Sequence, residues 1–556
     1  MRYELSIICS LLAGSMCATA WAQSNVQSGD VLRQIQPPAA SVVPQAQPEN
    51  ALQASTAPAA KPGTSVVVRE WVIVGNTVIN SEALLAVLAP YTDKPLTMAQ
   101  IQEAAAQVQR AFESGGWLAR VVLPTQDVSA GVIRLQVIEG RLGQVVMQAD
   151  GTSRVSPDQV KALVSSALVP GEVLNTRVVN RGLLLADDLS GVSVSGQLKS
   201  GQQEGTTDVL VRTLDEPALM YEASVDNGNA RSVGEYRALF SANWSSPGAW
   251  GESYALQALA SEGASYGRLG VTAPVGHSGL KLSAAVSHMD YKVVTQGDDG
   301  VVPNIKGSAQ TLSADVAYPL MRSRAQNLYI ITGVEQRDYV SAVDNTRESD
   351  YRINAYSVGL SGNYFDNFAG AGANAYSVAA ITGRLRKLAS NSSNDEATLG
   401  GYNKLRWSMS RQQALIKGLT FFVSVQGQNT GSKRLDSSEN MSLGGPSGVR
   451  AYPVGEASGP QGVLSSLELR WALSSQWMIL PFYDYGRVSK RSDDNLRSYS
   501  LQGAGVSAAW TGPAGWVGKT TYAYRIGNNP NPNDSGKDQD GSLRKGRFWL
   551  ALSRSF

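Results

Sequence analysis

From about Glu216 to Phe556 the sequence never sustains a helical period; it alternates instead. Stretches such as "YRALFSANW", "LKLSAAVSHMDYKV", "TFFVSVQGQN" and "YSLQGAGVSAAW" put apolar and polar side chains on opposite faces, with Gly, Asn, Asp and Ser between them. A β-strand is the element with that period. At about 20 residues per strand and turn, this region holds about sixteen strands, within the range of a single-chain outer-membrane barrel. A propeller or double sandwich would need blade repeats or continuous apolar core strands, and neither is present. The last stretch sets Phe548, Leu550, Leu552 and Phe556 on one side and Trp549, Ala551, Ser553 and Ser555 on the other. An open edge in lipid strands backbone polar groups, so the last strand is expected to join the first. Arg554 interrupts the apolar side and fits an interface, where charge costs less.

The other end of the chain points to export. Arg2, the apolar core "LSIICSLLAGSMCATA" and the small-x-small site Ala20–Trp21–Ala22 read as a signal peptide, residues 1–22. Cys9 and Cys17 both lie inside it, so the mature protein is expected to carry no thiol. Beyond it no run of about 18 apolar residues occurs, so no membrane helix is expected. With 48 basic against 46 acidic residues the formal charge is +2. That balance supplies no basic field for nucleic acid.

Residues 23–65 are rich in Pro, Ala, Gln and Ser and read as a linker, with a short possible helix, "SGDVLRQIQ", ending before Pro37–Pro38. Residues 66–140 then read strand, helix, helix, strand, strand. "SEALLAVLAPY" is one helix, with Ser81 as candidate N-cap, and "TMAQIQEAAAQVQRAFESGG" another, ended by Gly115–Gly116. Residues 141–215 repeat that order. The expected fold is two small α+β domains followed by an all-β barrel, residues 216–556.

Several motifs together resemble one family. "GGWLARVVLPTQDVSAGVIRLQVIEGRL" resembles the POTRA domain of two-partner secretion transporters, the TpsB outer-membrane proteins of haemolysin secretion-activation type. The matching residues are Gly116, Trp117, Pro124, Gln126, Glu139 and Gly140. "GGPSGVRAYP" resembles the family's long loop, with the tip Val449, Arg450, Ala451, Tyr452. "FYDYG" resembles its inward-facing strand motif, with Phe482, Asp484 and Gly486. Phe556 resembles the terminal signal that barrel-assembly machinery reads. The resemblance implies a non-enzymatic pore in the bacterial outer membrane, without cofactor or metal. Its POTRA domains would face the periplasm and capture a large exoprotein bearing an N-terminal secretion domain, of adhesin or haemolysin type. Barrel-assembly machinery and outer-membrane lipid are the other implied partners; nucleic acid is not. The rival readings are a barrel insertase of the same superfamily and a passive porin.

Single residues carry competing readings. Arg450 is either an exposed loop arginine or a lumenal one paired with Asp484. Ala451 stands where the family usually has Gly, and a methyl group disfavours positive φ, so the loop tip is expected to differ there. "SGDVLRQIQ" is either a plug helix in the pore or a disordered tail. "GASYG" (Gly263–Gly267) matches the hydrolase Gly-x-Ser-x-Gly, but a hydrolase needs that Ser on a strand-to-helix elbow with a His partner. Here it lies between strand-like stretches, and His277 and His288 are the only histidines. They also leave no zinc constellation.

Overall fold

The computed structural model describes residues 27–35, 65–148, 153–296, 302–389, 398–431, 434–489, 498–533 and 535–556. The expected signal peptide and most of the Pro-rich stretch lie outside them. Among the described residues, helix α1 (Ser28–Ile35) comes first.

Two small α+β units follow. In the first, strand Glu70–Val74 runs parallel to Val132–Glu139, which pairs antiparallel on its other side with Ala119–Val122. In the second, Arg141–Gln148 runs parallel to Thr206–Asp215, which pairs antiparallel with Val192–Ser200. The order and directions are the same, so the duplication extends to topology. Each three-stranded sheet is covered by two helices: α2 (Ser81–Leu88) and α3 (Met98–Gly115), then α4 (Pro157–Ser165) and α5 (Thr176–Asp187). Leu84, Ile101, Phe112 and Leu135 are buried in the first core; Val160, Leu163, Leu185 and Val209 are buried in the second.

Helix starts follow capping chemistry. At α2 the cap is Asn80, not Ser81: the Asn80 side chain accepts the Glu82 N–H at 3.0 Å, while Asn76 Nδ2 donates to the Ser81 hydroxyl at 2.9 Å. Thr97 and Gln100 form a reciprocal capping box on α3. Gly116 closes that helix at φ 82°, a left-handed conformation that costs glycine little.

Sixteen antiparallel strands then close a barrel, from Leu219–Asp226 to Gly546–Ser555. The longest is Thr346–Asp366. The alternation sorts its side chains. Leu312, Val334, Tyr356, Met409 and Phe548 are exposed on the outer wall, whereas Tyr339, Tyr351, Ile353 and Leu385 are buried on the inner side.

Closure depends on a short seam. The last strand pairs with the first from Ala551–Asp226 to Ser555–Glu222; Tyr221 and Phe556 exchange backbone hydrogen bonds of 2.9 and 3.5 Å at one end, and the Asn227 N–H donates to the Leu550 carbonyl at 3.3 Å at the other. Beyond that, Asn227 continues the ladder with its side chain. Its Nδ2 donates to the Phe548 carbonyl at 2.9 Å and its Oδ1 accepts the Leu550 N–H at 2.7 Å, so one amide side chain stands in for a peptide. At the other end Phe556 stacks on Tyr221 at 4.9 Å, and the Arg554 guanidinium lies 4.4 Å from the Phe556 ring.

The second α+β unit is fastened to one end of the barrel. Asp188, just after α5, takes both Arg322 Nε and Nη2 at 2.8 Å, and Lys281 Nζ donates to the Asp188 carbonyl at 2.6 Å. Arg181 reaches the Pro319 carbonyl at 2.8 Å. Burial raises the neighbouring Asp187 carboxyl above its ordinary pKa; the Val194 N–H, donating to it at 2.7 Å, opposes this.

Asn227→Ala removes two side-chain hydrogen bonds, each worth about 0.5–1.5 kcal/mol net. The expected outcome is a seam weaker by about 1–3 kcal/mol, read as faster hydrogen exchange at the Leu550 amide in an otherwise folded barrel. Unchanged exchange at Leu550 would overturn the bridging role.

Candidate functional site

The loop before strand Gln461–Ala472 does not stay outside the barrel; its described residues, 434–460, fold into the lumen and are largely buried. A miniature hairpin, Met441–Ser442 against Ser458–Gly459, brings its two limbs together. Between them the chain turns at Val449–Tyr452, where the Tyr452 N–H donates to the Val449 carbonyl at 3.0 Å.

The tip arginine explains much of the neighbouring wall. Arg450 is 5% exposed and Asp484 is fully buried. Arg450 Nη2 and Nε contact the Asp484 carboxylate at 2.7 and 2.8 Å, and the Arg450 N–H also donates to it at 3.1 Å. Nη1 reaches Glu468 at 2.9 Å, and Nη2 reaches the Ser466 hydroxyl at 2.8 Å. The guanidinium carbon lies 3.5 Å from the Phe482 ring centroid. Trp549 Nε1, on the last strand, donates to the Arg450 carbonyl at 2.8 Å. The planar five-donor fork suits this convergence; a lysine ammonium would not reproduce it.

Phe482, Asp484 and Gly486 occupy successive inward positions of strand Trp477–Ser489. The first stacks on the guanidinium and the second binds it. At Gly486 a Cβ would lie 3.0 Å from both Leu443 and Val449, so the absent side chain makes room for the loop. Ala451 is not at positive φ, so its methyl group meets no backbone penalty at the loop tip. Its methyl group faces Gly503, where an added Cβ would lie only 2.6 Å away. Gly503 leaves the wall clear for that methyl group.

Two further anchors hold the loop elsewhere. Glu439 is fully buried between Arg337, at 2.5 Å, and Lys404, which also donates to the Glu439 carbonyl at 2.9 Å. Next to it, the Tyr351 hydroxyl donates to Asp436 at 3.1 Å. On the other limb, the buried Glu456 accepts Asn529 Nδ2 and the Gln539 N–H, each at 2.8 Å. Asn529 and Gln539 belong to the loop between the last two strands, which Asp538 ties to Arg525 and Arg547.

Helix α1 lies beside this loop, against inward residues of the wall. Val31 and Leu32 are buried with Met289, Tyr291, Ile305 and Tyr351. Ser28 Oγ lies 2.9 Å from Ser341 Oγ, and Arg33 Nη1 reaches Ser458 Oγ at 3.1 Å. A Cβ on Gly29 would meet Ser438 Cβ at 2.7 Å, so helix and loop touch through their smallest residues.

The motif residues of the first α+β unit serve its architecture. Glu139 accepts the N–H groups of Thr77 and Val78 at 2.6 and 3.1 Å and so pins the loop before α2. Gln126 brackets the Arg134 backbone, accepting its N–H at 2.7 Å and donating to its carbonyl at 2.8 Å, just beyond Pro124. Gly116, Trp117 and Gly140 sit at the junction with the second unit. There the Thr176 N–H donates to the Gly116 carbonyl at 2.7 Å, the Leu174 N–H donates to the Gly140 carbonyl at 2.8 Å, and Trp117 bridges to Asn175. "GASYG" opens strand Ala264–Val275, with no helix after it, and His288 is exposed beside Asp290. Among the described residues no three His, Cys, Asp or Glu side chains gather as a metal site.

Residues 205–510 match the family model described as haemolysin secretion/activation protein ShlB/FhaC/HecB, and residues 66–140 match the ShlB-type POTRA domain. The chain belongs to the ShlB/FhaC/HecB family. It is an outer-membrane transporter of the two-partner secretion type, with its POTRA domains in the periplasm. It is similar to the heme/hemopexin transporter protein HuxB of Haemophilus influenzae, at 23% identity over 86% of this chain and 85% of that one. It is also similar to the outer membrane transporter CdiB of Escherichia coli, at 24% identity over 81% and 77% of the two chains. The solved structure of CdiB from Escherichia coli shares the fold, with a TM-score of 0.72, 21% identity and coverage of 91% and 93%.

Glu439, Glu456, Glu468 and Trp549 were not singled out from the sequence. The signal available for Glu468 is alternation, which sets it with Ser466 and Arg470 on one face of "LSSLELRW".

Arg450→Ala leaves Asp484 buried without its cation, a loss of about 3–5 kcal/mol for such a pair. The expected outcome is a loop tip newly open to protease or thiol labelling at residue 449 or 452 in a barrel that still inserts. Asp484→Asn combined with Arg450→Ala is expected to cost less than the sum of the single changes. Additive effects would separate the two residues.

Proposed function

We propose that the periplasmic POTRA domains capture a large exoprotein through its N-terminal secretion domain, and that the barrel passes it to the cell surface once the lumenal loop and α1 give way. The observation that carries this reading is the anchored loop. Arg450, Glu439 and Glu456 fasten a long, mostly buried segment to three parts of the lumen. A permanent pore for small solutes has no need of such an element.

Capture would use strand addition, in which main-chain hydrogen bonds give affinity and alternate side chains give selectivity. Each α+β sheet has edges for it: Glu70–Val74 and Ala119–Val122 in the first, Val192–Ser200 and the part of Arg141–Gln148 beyond Leu142 in the second, Leu142 itself being bonded to Gly171 and Glu172. In this reading residues 66–140 and 141–215 form the capturing domains and 216–556 the conduit. Helix α1 is the resting plug. The cargo is an adhesin- or haemolysin-type protein, and barrel-assembly machinery inserts the transporter, reading its terminal strand.

The test compares culture-supernatant and outer-membrane proteomes of the parent, a deletion strain and Arg450→Ala. Loss of one or two large exoproteins from the deletion strain is expected, with their secretion reduced in Arg450→Ala and other barrels unchanged. A broad fall in outer-membrane barrels would instead make it an insertase. No change while the cargo is expressed would leave a porin. Deleting residues 23–36 is expected to raise single-channel conductance in planar bilayers; an unchanged conductance would remove the plug.

A further inference from the structure

The outer wall of strands Thr346–Asp366, Gly372–Lys387 and Gly400–Ile416 carries a basic cluster in an unusual place. Along Gly372–Lys387 the side chains alternate sharply. Ile381 and Leu385 are buried toward the lumen, while Val378, Ala380, Thr382, Arg384 and Arg386 are exposed outward. Arg386 is directly opposite Arg352 on the neighbouring strand, so three arginines share one patch. Asp338 neutralises Arg352 at 2.8 Å. Among the described residues Arg384 and Arg386 have no hydrogen bond or ion pair.

Their height on the wall follows from the strand itself. At the periplasmic end of the same outward row, Asn374 and Arg411 bind Asp366, each at 2.7 Å. Arg384 lies ten positions up the strand from Asn374. At about 3.3 Å per residue and a tilt of roughly 40°, that is about 25 Å along the membrane normal, the height of a barrel's apolar band. Tyr376, Val378 and Ala380 fill the interval, flanked by Val358 and Leu360 on one side and Leu405 and Met409 on the other. Arg384 therefore stands at the outer-leaflet headgroup level, above a strip for acyl chains.

The space beside it is open. On the next strand Arg384 faces Gly401, where an added Cβ would meet only the Gly383 carbonyl, at 3.8 Å. Two unpaired guanidinium forks at alternate positions, an open notch and an apolar strip beneath them match phosphate above acyl chain.

We propose that this patch docks a phosphate-bearing, acylated glycolipid of the outer leaflet, with its phosphates on Arg384 and Arg386. The same wall carries Tyr351 and Lys404 on its inner side, where they hold Asp436 and Glu439. A lipid bound outside thus braces the part of the barrel that fastens the lumenal loop.

The test uses the full-length protein purified in detergent, with binding of diphosphorylated lipid A read by native mass spectrometry. Folding of each variant is checked by heat-modifiable gel mobility. The wild type is expected to bind, Arg384→Gln/Arg386→Gln at least tenfold more weakly, and Arg384→Lys/Arg386→Lys in between. Arg487→Gln, a lone outward arginine on another strand, is expected to bind as the wild type does. Dephosphorylated lipid A is expected to bind weakly to every form, and inorganic phosphate at the same concentration not to compete. Equal binding by the double Gln variant would overturn the proposal. So would equal binding of the dephosphorylated lipid, which would leave only apolar adhesion. Competition by inorganic phosphate as strong as that by the lipid would reduce the patch to a free-anion site.

Discussion

Hydrocarbon offers a backbone N–H or carbonyl no partner, and the rest of this structure depends on that fact. It forces the sheet to close, and closure forces the period of two on every strand. Lipid takes one face and the lumen the other, so the polar half of the composition is turned inward. That is why a chain with 46 acidic and 48 basic residues can lie largely in a membrane. The seam shows how narrow the margin is. Five ladder pairs and the Tyr221–Phe556 backbone bonds join first strand to last, and Asn227 extends the seam with both its backbone N–H and its side chain. The same rule would leave a strand edge costly in lipid but useful in the periplasm, where water satisfies the unpaired groups until a peptide replaces it.

A polar lumen creates a second problem, because a charge taken from water must find a partner. The inserted loop and the wall solve it for each other. Seating the loop takes Asp484, Glu468, Arg337 and Lys404 out of water, and Arg450 and Glu439 pair with them there, while Arg470 and Glu335 on the wall add second partners to Glu468 and Arg337. Pairs of this kind add little net stability, since desolvation offsets most of the attraction, but breaking one side is expensive. They serve to fix position. Gly486 and Gly503 act in the same sense by shape, since each leaves the wall clear where Val449 or Ala451 seats.

The legibility of these features in the sequence tracks how local each one is. Barrel strands, the duplicated α+β units and the alternation of the last strand are period signals, and they were readable. The Phe-x-Asp-x-Gly strand was readable as a pattern, though only the structure shows why each position has its residue. Ser81 was the wrong cap by one residue because Asn76 engages its hydroxyl, a contact that propensity does not see. Glu439 and Glu456 were invisible for a deeper reason. Glu439 finds Arg337 some hundred residues away, and Glu456 finds the loop before the last strand. Nothing in a short window distinguishes such a carboxylate from a solvated one. Ala451 shows the same limit, since the residue that makes room for its methyl group, Gly503, lies on another strand.

The unequal fastening of the two lumenal elements has a consequence for the order of events in transport. Helix α1 is eight residues long, and an isolated helix of that length is not stable in water. It is held by hydroxyl contacts at Ser28, by Arg33 on Ser458 and by the burial of Val31 and Leu32. The loop is held by two buried ion-paired anchors, at Arg450 and Glu439, and by the hydrogen bonds of the buried Glu456. Outside the cytosol no ATP is present, so the differential binding of the exported chain must supply the work. Shifting a closed state from 99:1 to 1:99 takes about 5.5 kcal/mol of such differential affinity. One strand-addition event at a POTRA edge reaches that scale for a short helix whose ion pair, Arg33–Asp30, lies within the helix itself and leaves with it. Two buried ion-paired anchors and the Glu456 hydrogen bonds broken together would exceed it. On the proposed reading the helix therefore leaves first, and the loop yields anchor by anchor as the exported chain itself replaces its contacts.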